Sequence, residues 1–166
     1  MKQNIAIIDP LGAHGSSHHF YLFGQAKGLI NNDVSISLYT NTETGNPNID
    51  GVRFFAFYKN IFKSKSKFIS GIKWVVGSIL SVFHARFSGV RVFHFHIFYT
   101  NVLVLFNLLL VKLVFGKVVL TTHDVSSFAN LSDSSIIGNM IYKLTDLILT
   151  HNEFSKLEII KINPNL

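Results

Sequence analysis

Apolar residues along this chain fall into short continuous runs, and between most of them lie stretches whose apolar positions return at helical spacing. Asn4–Asp9 reads as a buried strand, Ile5 to Ile8 closed by an acid. A loop of small residues, Gly12-Ala13-His14-Gly15-Ser16-Ser17, then opens a helix carrying Phe20, Leu22, Phe23, Ala26, Leu29 and Ile30. Asn31-Asn32-Asp33 stops it, residues 34–39 form a second strand, and residues 52–57 a third after a polar turn. A basic, phenylalanine-rich segment, 58–68, leads into a helix through Trp74 and Val82 that Ser88-Gly89 breaks. Residues 90–96 give a fourth strand. Asn101 caps an apolar helix ended by Gly116, and Lys117–Thr122 is a fifth strand. Ile136–Leu144 is helical, Leu147–Thr150 a sixth strand, and residues 153–160 begin a last helix. Continuous apolar strands alternating with helices predict a doubly wound, three-layer α/β domain around a parallel sheet.

The 166 residues suffice for one domain with a proper core, and 48% apolar against 14% charged residues excludes disorder. With no cysteine, disulfide frameworks and thiolate metal sites are excluded, and a reducing cytoplasm is the expected compartment. The start of the chain does not read as a secretory leader. The longest apolar run, 102–115, is broken by Asn107 and Lys112 and falls short of the ~20 residues a span needs, so a buried helix is expected.

Charge sharpens the picture. Between Asp50 and Asp124 there is no acid, yet ten of the fifteen Lys and Arg lie there. One strongly positive surface is expected, facing an anionic membrane, a phosphorylated ligand or nucleic acid. Lys59, Lys63, Lys65, Lys67 and Lys73 supply much of it. Lysine mixed with phenylalanine suits a membrane interface or stacked single-stranded nucleic acid; the plain alternative is a solvated face over a phenylalanine-rich core.

In a parallel doubly wound sheet, ligands bind at the carboxyl ends of the strands. His14, His18 and His19 follow the first strand, His94 and His96 end the fourth, and His123 and His151 follow the fifth and sixth. Only His84 lies elsewhere, in the predicted helix through Trp74 and Val82. A polar cleft at the strand ends is therefore expected, lined also by Asp9, Asp124, Asn152 and Glu153. The Gly12 to Ser17 loop can approach an anion with its backbone, or be an ordinary tight turn; it lacks the third glycine of a dinucleotide fingerprint and the Gly-Lys-Ser/Thr of a Walker loop. His123-Asp124 can pair an imidazole with an orienting carboxylate, or the acid can cap a turn beside a solvated ring. No histidine spacing matches a zinc pattern, and no metal is expected.

The ordered set resembles the N-terminal domain of GT-B glycosyltransferases, most closely family four, the large retaining group. It comprises the strand and glycine loop, His94-Phe95-His96, Thr121-Thr122-His123-Asp124, and the run from Tyr142 to Lys156 through Asp146, His151 and Ser155. The resemblance implies a Rossmann-like domain over residues 1–162, the acceptor-side half of a GT-B fold, with 163–166 starting an interdomain linker toward a donor domain absent from this chain. It implies transfer of a hexosyl unit, with retention, from a nucleotide-diphosphate sugar to a glycan or lipid-linked acceptor, as in bacterial surface polysaccharide synthesis. The sugar nucleotide is a co-substrate, no cofactor is implied, and this domain alone is expected to be inactive. His123 and Asp124 would be catalytic. Gly12, His14, Gly15, Ser16, His94, His96, His151, Asn152 and Glu153 would meet donor or acceptor. The family commonly carries Gly-Gly in the first loop, where this chain has Gly12 and Gly15 apart. The implied partners are the two substrates, a C-terminal GT-B domain and an anionic membrane surface on the cytoplasmic side, not nucleic acid. A competing class is a non-catalytic α/β module binding a nucleotide sugar or glycan, or a partner subunit. A dinucleotide oxidoreductase is disfavoured because Leu38-Tyr39-Thr40-Asn41 stands where a ribose-binding acid is expected.

Overall fold

The structure, a computed structural model, describes residues 3–14, 18–123 and 136–162, residue 162 by its backbone alone. Gly15, Ser16, Asp124 and the 163–166 segment lie outside the described residues. Among these the chain runs β1 (Asn4–Asp9), α1 (His18–Ile30), β2 (Ser35–Asn41), β3 (Val52–Tyr58), α2 (Lys67–Phe87), β4 (Val92–Ile97), α3 (Val102–Leu113), β5 (Lys117–Thr122), α4 (Ile136–Leu144), β6 (Leu147–Thr150) and α5 (Glu153–Ile162). The strands form one parallel sheet in the order β3-β2-β1-β4-β5-β6, the doubly wound α/β class that the alternation of strands and helices predicts. The backbone divides into two compact units, residues 1–93 and 94–166.

In the first unit, β1 pairs in parallel with β2 and β2 with β3. Strand side chains alternate between faces. Ile36 and Leu38 therefore meet Ile7 and the α1 residues Leu22 and Ala26 on one face. On the other, the hydroxyl of Tyr39 lies 2.9 Å from Nδ1 of His84 in α2. His84 is thus a packed residue, ringed by Tyr39, Phe55 and Phe57, and burial pushes the Tyr39 hydroxyl up to about 12. Deeper along α2, the fully buried Tyr58 ring fills the space beside Gly77 and donates to Ser78 at 3.3 Å. Asp33 takes a left-handed φ of 60° past the end of α1, as the Asn31-Asn32-Asp33 stop implies.

In the second unit, the Asn101 side chain accepts from the amides of Leu103 (2.8 Å) and Val104 (2.9 Å), the expected cap of α3. The end of α3 differs from expectation. The helix stops at Leu113, and the left-handed residue is Phe115, φ 57°, rather than Gly116, whose amide bonds back to Val111. α3 buries Leu105, Leu108, Leu110 and Val111, but the expected burial is partial, because Val102, Leu109 and Leu113 are exposed. Strand β6 pairs in parallel with β5. Asp146 holds that pairing in place: its carboxylate accepts from the Val118 amide at 2.8 Å and from Lys117 Nζ at 3.1 Å, and also pairs with Lys112. Partial burial works to raise this carboxyl, but the bonds from Lys112, Val118 and Lys117 outweigh it and hold it at about 2.

Candidate functional site

In the first unit, candidate residues gather at the turn after β1. Asp9 is buried at the strand end, and its two carboxylate oxygens accept from the amides of Leu11 (3.1 Å) and Gly12 (3.0 Å). Burial pushes this carboxyl up to about 6, against the pull of the two amides and of His19. Gly12 has φ 50°, and a Cβ there would land on Thr44 Oγ1 and come 2.6 Å from Thr40 Oγ1. Only glycine fits.

Beneath the loop sits a bracket from the end of β2. Asn41 Nδ2 donates to the carbonyls of Pro10 (2.9 Å) and Leu11 (2.6 Å), while its Oδ1 accepts from the amides of Glu43 and Thr44. Thr44 in turn accepts from the Ala13 amide at 2.9 Å. His14 is exposed, stacks on Phe62 at 3.6 Å and sits 3.2 Å from Glu43. Sequence reasoning reads Asn41 and Thr44 as turn material and misses this support, because the bonds span about thirty residues. A buried polar pair closing a glycine turn is the available signal.

A separate group of candidate residues lies within the second unit. His94 and His96 stand two apart on β4 and so share a face, with ring centroids 4.6 Å apart. His123, just past β5, places Nε2 3.3 Å from His96 Nδ1, and its Nδ1 lies 3.0 Å from Nε2 of His151, just past β6. Four imidazoles thus form a row from the buried His94, which lies midway along β4 rather than at its expected end, to the exposed His151. Phe98 stacks on His123 at 4.6 Å. At the buried end, His94 Nε2 lies 2.8 Å from Thr121 Oγ1, and burial lowers this imidazole to about 4, so it is neutral near pH 7. Thr121 stands in the Thr121-Thr122-His123-Asp124 run, but the sequence gives it no role as the partner of His94.

His96, His123 and His151 couple their tautomers. With each nitrogen of His123 facing another ring nitrogen, a proton moved at one end re-aims the bonds along these three rings. Such a row can take a proton from, or give one to, a ligand hydroxyl at the exposed end. Protonated, His123 would donate to both neighbours and present a positive charge.

Asn152 and Glu153 have local partners. Asn152 Oδ1 accepts from the Ser155 amide at 2.8 Å, capping α5, and the exposed Glu153 pairs with Lys156 at 3.2 Å. Lys59, Lys63, Lys65 and Lys67 are exposed; Lys73 donates to the Asn60 carbonyl at 3.3 Å.

No protein-family model and no curated protein matches the chain. Solved structures do. The chain is similar to the lipopolysaccharide outer core galactosyltransferase WaaB, with a TM-score of 0.60 at 10% identity, over 97% of this chain and 43% of that one. Sucrose-phosphate synthase from Thermosynechococcus elongatus gives 0.59 at 13% identity, covering 96% and 45%. The UDP-GlcNAc 2-epimerase from Methanocaldococcus jannaschii gives 0.56 at 12%, covering 97% and 42%. The chain spans less than half the length of each. The likeness defines the fold class: a Rossmann-like α/β domain of the kind that forms one half of a GT-B protein.

Proposed function

We propose that this chain is the N-terminal, acceptor-side half of a retaining glycosyltransferase, which moves a hexosyl unit from a nucleotide-diphosphate sugar to a glycan or lipid-linked acceptor in bacterial surface polysaccharide synthesis at the cytoplasmic face of the membrane. The observation that carries the reading is the row His94–His96–His123–His151 along β4 and just past β5 and β6, on a fold shared with two transferases of sugars.

In the transfer, the bond from the anomeric carbon to the diphosphate breaks and a bond from the acceptor oxygen forms on the same face. The acceptor's proton leaves with the diphosphate. His123 is assigned the hydrogen bond to the transferred sugar, made when a sugar hydroxyl takes the place of His151 at Nδ1, with His96 at Nε2 holding the tautomer and Asp124 as its companion. His94, neutral and tied to Thr121, steadies His96. The loop of Gly12, His14, Gly15 and Ser16 is assigned to the donor phosphates and acceptor, as the family resemblance implies. A partner domain completes the donor pocket, so residues 1–166 alone do not turn over.

The natural full-length protein, given nucleotide hexoses and a lipid-linked glycan acceptor, is expected to release nucleoside diphosphate and to form a product with the donor's anomeric configuration, read by NMR. An epimerised donor with no transfer would move the protein to the epimerase class that shares this fold. Donor bound but never consumed would favour the non-catalytic module.

A further inference from the structure

Helix α2 is built inside out. Its buried residues are Gly77, Ser78, Ser81, Val82 and Ala85, four of them small or polar. Its large apolar residues Phe68, Ile72, Val76, Ile79, Leu80 and Phe87 are exposed, Phe68 by 76% and Phe87 by 86%. At 3.6 residues per turn these six fall within an arc of roughly 120°, one continuous stripe along all 21 residues. Among the described residues α2 is the one helix long and apolar enough to cross a membrane. Its opposite side, however, is committed to the fold: Gly77 and Ser78 receive the Tyr58 ring, and Trp74 meets that ring edge-on. A stripe on one side and a protein core on the other describe a helix that lies along an interface rather than through it.

Charge identifies the interface. Exposed Lys59, Lys63, Lys65 and Lys67 crowd the start of α2, and exposed Arg91 follows its end. The first turn holds no acid, and the Ser66 side chain makes no capping bond. Cations at a helix start oppose the helix dipole, an arrangement that anions from outside relieve.

We propose that the outward stripe of α2 is a docking surface for an anionic lipid bilayer, with Phe68, Ile72, Val76 and Phe87 entering the acyl boundary and the lysines before the helix meeting lipid phosphates. This extends the basic-segment expectation from a set of lysines to a defined helix face. It stands on the first unit and not on the transferase reading, because vesicle binding is measured without donor or acceptor.

Co-sedimentation of the chain with phosphatidylglycerol-containing vesicles is expected to exceed that with pure phosphatidylcholine by roughly tenfold or more, and to weaken with salt. Ile72→Ser/Val76→Ser, two exposed positions, keeps the circular dichroism spectrum and loses roughly tenfold in vesicle binding. Lys63→Glu/Lys65→Glu loses a similar factor on anionic vesicles only. Because the chain has no cysteine, Ile72→Cys carries a single environment-sensitive dye, whose emission moves to the blue on anionic vesicles. Equal binding to neutral and anionic vesicles overturns the proposal, as does full binding by the Ile72→Ser/Val76→Ser variant. A dimer in solution that this variant dissociates, with no vesicle binding, assigns the stripe to a second copy of the chain and overturns it too.

Discussion

The ring of Tyr58 occupies the place where residue 77 would carry a side chain. A Cβ built on Gly77 comes 2.6 Å from Tyr58 Cδ1, closer than real contacts allow, and a tight 3.1 Å from its Cα. This one missing methyl lets α2 settle onto β3 with Tyr58 fully buried beneath it. It is also why the helix turns small residues inward.

Gly77→Ala is therefore expected to cost about 1–3 kcal/mol by overpacking, seen as a lowered midpoint in urea or heat. Gly24→Ala is the matched control: it lies in the interior of α1, where an added methyl would meet nothing within 4 Å, and should gain up to about 1 kcal/mol from helix propensity. Equal effects from the two would contradict the Tyr58 contact.

Gly12→Ala forces a left-handed φ of 50° on alanine and drives its methyl into Thr40, Asn41 and Thr44. A loss of about 1–3 kcal/mol is expected. Thr44→Val, which keeps the shape but removes the acceptor for the Ala13 amide, should cost about 1 kcal/mol. Unchanged melting in both variants would show that the bracket does not hold the loop.

Asp9 and His94 pull the pH dependence of stability in opposite directions. Asp9 titrates near 6 in the native state against 3.8 ordinarily. Between those values the native state holds the extra proton, so stability falls as pH rises. His94 titrates near 4 against 6.5. There the unfolded state holds the extra proton, so stability rises with pH. Each contribution is on the order of 3 kcal/mol, and over pH 4 to 6 they largely cancel. His94→Gln, whose amide can still reach the Thr121 hydroxyl, removes one side. Its urea-unfolding free energy should fall from pH 4 to pH 6, and a rising profile would contradict the assignment.

Most of the fold is legible in the sequence. β5, α4 and β6 carry the residue bounds that their apolar runs and flanking turns imply, because continuous strands and short caps leave little room for slippage. His94 and His96 share a face by alternation alone, and His123 and His151 follow strands whose ends are readable. Less is legible where partners are distant in the chain. Nothing local announces that Asn41 reaches Pro10 and Leu11, or that Thr121 meets His94. The inverted face of α2 escapes for another reason. An apolar helix shows its period in the sequence, but which side faces the sheet is decided by Tyr58, a residue on β3.

The proposed transfer requires His123 to act on a bound sugar nucleotide. In the full-length natural protein, His123→Ala should lower the rate of nucleoside diphosphate release by roughly 10²–10³-fold while leaving the circular dichroism spectrum and melting midpoint essentially unchanged. Release at the rate of the unsubstituted protein, from a variant that is folded, would contradict it.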